Sequence, residues 1–474
     1  MDIILVCIFC LAFFLLRLAF ASPENTDEWV SFWLIERQKG HPWINYQVWD
    51  AVNSGIYAYP QFQHFLVSRF PRSWWGIVGR GLNAFYDIIV AVILFGLIRA
   101  CPLPEGYHSR EIAGLSPELA AVLLFLSMPV LMPTMSRMKT IKARSLGLLL
   151  CTAYFVCIGL VLLNGTWGWL LPAVIAAILI ILSSMFALQV MCLFSAGLSL
   201  AFLSFIPLLP CVGSIVIALV FPRLGGRDAL RFFWHHKLFY TKVKEKGTTA
   251  AGRNRLSDIF KLPGMLCKNP KQALNVLFNK NTFFIALYSA PGLVFALIAW
   301  LTLSSFRDAL AGNFLLQFSG FTVLVSIGIF LLISLPPLSF LGQAERYLEY
   351  SSPFLAVLVV AGCLEMGEAY KAGVFWLIFG LQLSGIYVNQ CLNEVKELSR
   401  STAKAPESLR DIARWCVENL ESANLLTVSV KLSYLCHSEV RRLSSEANIN
   451  FYYRLMLRNH DNGFASHKEL IGGF

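Results

Sequence analysis

The chain has 474 residues, of which 57% are hydrophobic and only 14% charged, with a mean hydropathy of +0.62 and a formal net charge of +11. Soluble domains carry roughly 25% charged residues, so this is not an ordinary soluble enzyme, and a nucleic-acid surface would need a soluble platform that the chain does not offer. The composition describes an all-α polytopic membrane protein.

Apolar stretches near the roughly 20 residues that a spanning helix needs fall at 2–21, 84–100, 117–133, 145–163, 167–185, 187–206, 208–222, 281–303, 314–335, 351–366 and 372–390. They predict about ten to twelve transmembrane helices over residues 1–390. The first run ends in Ala19, Phe20 and Ala21, which has the letters of a signal-peptide cleavage site, but it opens Met1, Asp2 and keeps its one base, Arg17, near the far end. An uncleaved first helix is the expectation. Either way the loop 22–83 is expected on the extracytoplasmic face.

That loop mixes carboxylates (Glu24, Asp27, Glu28), tryptophans (Trp29, Trp33, Trp74, Trp75), His64 and several glycines. It has the makings of a lid or groove lining, while its tryptophans would equally suit an interfacial belt. Ordinary solvated loop acids would give the same letters. Asp87, near the start of the second apolar run, would pair with Arg80 or face a cavity. Next come four bases, Arg137, Lys139, Lys142 and Arg144, between the third and fourth runs and, on this topology, on the outer side. Four bases outside run against the positive-inside trend, so they call for another role.

Between Arg223 and Lys280 the sequence has 13 Lys or Arg against three acids, which predicts a cytoplasmic loop over 223–280. With residue 22 outside, an even number of crossings must then precede 223, whereas seven apolar runs are present. One run between 167 and 222 is therefore expected to be re-entrant or fused to its neighbour. His235 and His236 inside this loop lack the further ligands of a metal site. The twelve cysteines lie mostly inside apolar runs, where Cys behaves as a small hydrophobe. Cys7 and Cys10 match C-x-x-C only as letters, since a redox or zinc pair belongs at a helix start or polar knuckle.

Glu345, Arg346 and Tyr347 interrupt the late apolar runs; Arg346 would either clamp an anion or neutralise Glu345. After Gln390 charges of both signs appear, with helix-like 406–422 and β-like 425–436, so 391–474 is expected to form a small soluble α/β domain. There is no P-loop, no G-x-G-x-x-G and no G-x-S-x-G, which removes the usual signatures of ATP-driven pumping, dinucleotide chemistry and serine hydrolysis.

Three short stretches carry a resemblance. A first helix followed by Asp27-Glu28 and then "YPQFQH" (59–64), the segment "SRMKTIKARSLGLLL" (136–150) and "GQAERYLEYSSPF" (342–354) together look like the GT-C superfamily of integral-membrane glycosyltransferases, in the branch resembling protein mannosyltransferases and lipid A aminoarabinose transferases. Tyr59 and Pro60 match that branch's Tyr-Pro-Pro element, with Gln61 in place of the second proline; "RSLG" (144–147) matches an R-x-LG helix start. The resemblance implies an inverting transfer of a sugar from a polyprenyl-phosphate carrier to a glycolipid, polysaccharide or protein acceptor at the extracytoplasmic face of a bacterial inner membrane or its equivalent. Such chemistry needs a carboxylate to take the acceptor's proton and cations to hold the departing phosphate, with metal optional and no other cofactor required. Asp27, with Glu28 beside it, is the expected base. Arg137, Lys139, Lys142 and Arg144 are the expected phosphate cations, with Arg346 able to join them; Glu345, Tyr347 and Tyr59 are further substrate-binding residues, and His64 would either orient an acceptor or serve as a structural loop histidine. The expected partners are the lipid-linked donor, the acceptor and membrane lipid. A lipid-linked oligosaccharide transporter, or a membrane subunit with no chemistry, are the alternatives.

Overall fold

The computed structural model describes most of residues 2–398. Outside its description lie residue 1, 20–25, 49–54, 57–58, scattered positions from 102 to 109, 129–140, 142, 244–257, 271–272, 274–281, and all of 399–474 except 411–412, 415, 425–427 and 445–447; the side chains of 26–30 also lie outside it. Arg137, Lys139 and Lys142 fall in this set, as does most of the expected C-terminal α/β domain.

The described chain is predominantly helical. In order the helices are α1 (Asp2–Ala19), α2 (Thr26–Gln38), α3 (Phe62–Val67), α4 (Trp75–Ala100), α5 (Pro117–Ser127), α6 (Arg144–Asn164), α7 (Leu170–Ser183), α8 (Met185–Ala201), α9 (Leu208–Val220), α10 (Gly226–Val243), α11 (Asp258–Lys268), α12 (Thr282–Ser289), α13 (Pro291–Thr302), α14 (Ser304–Gly312), α15 (Phe314–Ser334), α16 (Arg346–Tyr350), α17 (Ser352–Leu364) and α18 (Glu368–Leu398). Two small strand pairs accompany them: β1 (Gln47–Val48) antiparallel to β2 (Gly55–Ile56), and β3 (Leu425–Thr427) parallel to β4 (Ser445–Ala447).

Local sequence marks the breaks. Ser116 caps α5 ahead of Pro117, Ser184 caps α8 and Asn313 caps α15, each accepting from a backbone N–H in the first turn. Gly165, at a φ of 65°, closes α6. These signals divide the apolar sequence more finely than hydropathy alone does. Among the described residues three helical stretches, Arg72–Ala100, Arg144–Asn164 and Phe314–Ser334, are long and apolar enough to cross a membrane, and the pair Pro291–Thr302 and Ser304–Gly312, bent by 99°, makes a fourth. The other apolar helices run 10–17 residues, at most about 26 Å at 1.5 Å per residue against a hydrocarbon core of about 30 Å. The expectation of ten to twelve full spans is corrected accordingly: these shorter helices pack in the same bundle.

The core is continuous from α1 to α18. Val6, Cys10 and Phe13 of α1, spaced for one helical face, are buried with Tyr86, Val90 and Leu94 of α4, while Ile4, Ile8, Leu11 and Leu15 are exposed. An apolar exposed face is what lipid would cover. Together with the apolar spans it makes this a membrane protein. The break expected at residue 390 is absent, because α18 runs unbroken to Leu398.

Residue contacts order the two ends of the bundle. The start of α4 meets Ile141 through Gly79, and Ser31 Oγ of α2 donates to the Ile141 carbonyl at 3.1 Å, so α4 and α6 both begin beside the first loop. Leu182 at the end of α7 packs with Ile44 and Tyr46. After α9, Trp43 Nε1 donates to the Leu224 carbonyl at 3.2 Å, and Gly225, at a φ of 77°, lies so close to the Tyr46 ring that a Cβ would overlap it. The chain thus leaves the first loop at α4 and returns to it after α9. All seven apolar runs stand as separate helices, and the start of 223–280 lies beside the first loop. One base of this segment, Lys237, is half-buried against the bundle.

Sidedness is testable in sealed vesicles. Single cysteines at the exposed positions Lys39 and Arg227, in a background without reactive cysteines, are expected to react with a membrane-impermeant maleimide from the same face; labelling from opposite faces contradicts the contacts above.

Candidate functional site

The first loop folds as a buttressed unit. Asp27 and Glu28 lie in the first turn of α2, one turn before Ser31; their side chains are outside the described residues. Trp33, Leu34 and Ile35 are buried, and Arg37 stacks 3.5 Å over the Trp33 ring. Trp75 is buried with its indole N–H on the Phe70 carbonyl at 2.9 Å, whereas Trp74 is exposed. Only the latter suits an interfacial belt. Gln38 ends α2 by donating to the Asn45 carbonyl at 2.7 Å and to Gln61 Oε1 at 2.5 Å. The residue standing where the resemblance has a second proline therefore uses its amide to pin the Tyr59–Pro60 turn to α2.

Tyr59 meets His64 and Phe232 edge-on, with ring centroids 6.3 and 6.0 Å away. His64 is buried, and burial lowers its pKa to about 4. Beside it, Gln63 Oε1 accepts from the Tyr86 hydroxyl of α4 at 3.1 Å. Phe232 belongs to α10, so this aromatic contact joins the first loop to the helix that carries Lys237.

The second half of the site is ionic. Arg144 opens α6; its Nε donates to Glu349 Oε2 at 2.6 Å and its Nη2 lies 2.5 Å from the same oxygen, with both side chains buried. Gly147, one turn on, admits Tyr350: a Cβ there would stand 3.0 Å from Ala187 and 3.2 Å from the Tyr350 hydroxyl. This gives the "RSLG" stretch a physical meaning, since its arginine supplies the charge and its glycine lets α8 and α16 approach. Ser145 donates to Asp87 Oδ2 at 3.4 Å, tying α6 to α4. Asp87 therefore faces the buried side of this joint.

Arg346 lies over the Phe186 ring, 4.2 Å from its centroid. Burial, then the neighbouring Arg144, pull its pKa below the usual value. Its Nε has no hydrogen-bond partner among the described residues, and neither does the buried Tyr350 hydroxyl. Tyr347 is buried against Phe186 with centroids 4.7 Å apart, and its carbonyl accepts from Ser326 Oγ at 3.1 Å. From α10, Lys237 Nζ donates to the Leu341 carbonyl at 3.3 Å; burial and Arg346 bring its pKa down to about 7. Glu345 is buried in the same turn and acts electrostatically on Arg346.

Of the expected residues, the structure therefore gathers Arg144, Glu345, Arg346 and Tyr347 into one cluster, with Tyr59 and His64 joined to it through α10. Lys237, Glu349 and Gln189 were missed. Lys237 was hidden in a stretch whose bases read as a topology signal. Glu349 carried a usable signal, a second acid three residues after Arg346 in a predominantly apolar region. Chemically the cluster offers cationic and hydroxyl donors in a place largely shielded from water, where an anion gains most from them. Among the described residues no three His, Cys, Asp or Glu side chains come together as a metal site.

No protein-family profile and no curated protein matches the chain. Solved structures do. A crystal structure of the Archaeoglobus fulgidus oligosaccharyltransferase tethered to an acceptor peptide containing the NVT sequon aligns with a TM-score of 0.53 at 12% identity, covering 93% of this chain and 64% of that one. Another, of the same protein in complex with Zn and sulfate, gives 0.54 and 14%, covering 93% and 62%. The archaeal oligosaccharyltransferase AglB of that organism, in complex with an inhibitory peptide and a dolichol-phosphate, gives 0.52 and 12%, covering 93% and 64%. The shared property is the fold, and this chain spans less than two thirds of the length of those proteins.

Two outcomes follow from the buried charges. Arg144→Met strands Glu349 in the interior and is expected to cost about 3 kcal/mol or more, read as a lowered thermal midpoint, with much of the loss recovered in Arg144→Met/Glu349→Met; additive losses contradict the pairing. For His64, the unfolded chain takes up a proton near about 6.5 while the folded chain does so only near about 4. Over that window the unfolded state holds more protons, so stability falls as pH drops from about 6.5 to about 4. His64→Gln is expected to remove part of that slope, and an unchanged acid profile contradicts the burial.

Proposed function

We propose that this chain is an inverting, multi-pass membrane glycosyltransferase that takes a sugar from a polyprenyl-phosphate carrier at the extracytoplasmic face. The observation that carries the reading is the cluster of buried Arg144, Glu345 and Glu349 with half-buried Arg346 and Lys237, set at the end of the bundle where the first loop docks. The GT-C fold supports it. The oligosaccharyltransferase complexes with an acceptor peptide and with a dolichol-phosphate favour a lipid-phosphate donor and make a protein acceptor one of the candidates.

In this reading the acceptor hydroxyl attacks the anomeric carbon from the face opposite the phosphate. The bond from that carbon to the phosphate oxygen breaks, and the electron pair leaves with the phosphate. Asp27, with Glu28 beside it in the same helical turn, takes the hydroxyl proton. Arg346, Arg144 and the Tyr350 hydroxyl stabilise the negative charge as it moves onto the departing phosphate. Tyr59 and His64 line the acceptor side. Arg137, Lys139 and Lys142, which precede Arg144, would add long-range attraction for the anionic head group. A metal is optional in this reading, since the cations can hold the departing phosphate. The segment beyond Leu398 takes no part in the chemistry.

The test is glycan transfer in membranes from a deletion strain carrying wild type or Asp27→Asn at matched expression, with lipid-linked intermediates followed by mass spectrometry. Loss of one sugar addition, by a factor of about 100 or more, together with accumulation of its donor is expected. An unchanged glycan profile contradicts the role given to Asp27. Loss of lipid translocation, with transfer intact in detergent-opened membranes, would instead favour a transporter.

A further inference from the structure

Gln189 lies on α8, in the apolar body of the bundle, and is buried. A buried side-chain amide has one acceptor and two donor hydrogens to satisfy, and here its surroundings fix which way it faces. With the oxygen toward Lys237 Nζ, the nitrogen donates to the Tyr347 hydroxyl at 2.8 Å and to the Leu341 carbonyl at 2.9 Å. The reverse orientation would set the amide nitrogen against an ammonium group and the oxygen against a carbonyl. One side chain thus reaches three separate segments: α10 through Lys237, the turn of residues 336–341 through Leu341, and α16 through Tyr347.

Lys237 enters the cluster from a different helix than either arginine, one also held by the first loop through Tyr59 and Phe232. A lysine ammonium on a flexible four-carbon stem finds an anion only if something fixes it. Its charged surroundings are Arg346 and, beyond it, Arg144, Glu345 and Glu349, with His236 preceding it on its own helix. Arg346 repels it; the Gln189 oxygen and the Leu341 carbonyl hold it there.

We propose that Gln189 is a positioning residue that holds Lys237 beside Arg346, making Lys237 a third cationic contact for the phosphate of the lipid donor. This rests on the phosphate-binding reading of the cluster. Gln189 itself touches no substrate and acts through Lys237, so its removal costs what the removal of Lys237 costs and no more.

The experiment is a double-mutant cycle on the full-length protein in nanodiscs, measuring binding of undecaprenyl monophosphate to wild type, Q189L, K237M, Q189L/K237M and R346A, each checked for a monodisperse elution profile. Q189L and K237M are each expected to weaken binding about tenfold, the scale of one charge-assisted contact, and the double variant to match K237M within about twofold. Q189N, whose shorter amide cannot span the same distance, is expected to follow Q189L and serves if the leucine variant does not fold. Losses that multiply to about a hundredfold in the double variant, or wild-type binding by Q189L and Q189N, overturn the inference; with R346A still impaired, the phosphate-binding reading stands without it. Wild-type binding by R346A as well would overturn both.

Discussion

The site is organised around a buried ion pair. Arg144 and Glu349 meet inside a helical bundle whose interior is mainly apolar, where a lone charge is costly enough that each partner needs the other. The pair fixes the start of α6 against α16, and that junction sets where Arg346, Tyr347 and Tyr350 lie. Gly147 and Ser145 extend it in two directions, one admitting Tyr350 and the other reaching Asp87. A buried ion pair seldom improves stability over an apolar packing of the same volume. Its place beside two further cations, at the end where the first loop docks, is therefore more readily understood as function than as reinforcement.

The first loop and α10 act as two walls. The loop is held by α2, whose Gln38 reaches back to the Asn45 and Gln61 segment, and by Ser31 on the Ile141 carbonyl. The helix is held at its start by the Trp43 and Tyr46 contacts and along its length by Tyr59 against Phe232. Lys237 then extends from that second wall to the ionic cluster. The aromatic contact of Tyr59 with Phe232 and the cationic group of Lys237 and Arg346 are linked through one helix, so movement of the loop and movement of the cationic group would be coupled.

Much of this was legible in the amino-acid sequence, for reasons that can be named. The membrane class follows from charge fraction and hydropathy. Arg144, Glu345, Arg346 and Tyr347 stood out because polar groups inside apolar runs are costly and call for a partner. Gln61 in place of proline was visible as a departure, but its hydrogen bond to Gln38 depends on a tertiary contact across 23 residues. The bases of 223–280 were counted by number, whereas the fold decides which of them meet water: Lys237 turns out half-buried beside Leu341. The helix break at Ala290, inside the run 281–303, was missed because hydropathy averages over a single residue. Gln189 gave no signal at all: one amide in an apolar helix is indistinguishable from a tolerated polar residue until its three partners are seen.

The central claim, that a lipid phosphate sits where the first loop, α10 and α16 converge, is most directly tested by photo-crosslinking. A polyprenyl phosphate with a photoreactive group next to the phosphate would be bound to the full-length protein in nanodiscs, and the labelled peptides mapped by mass spectrometry. Label on 226–243 and 341–350, competed away by unmodified polyprenyl phosphate, is the predicted result. Label confined to the opposite end of the bundle, in 101–116 or 165–169, would contradict it.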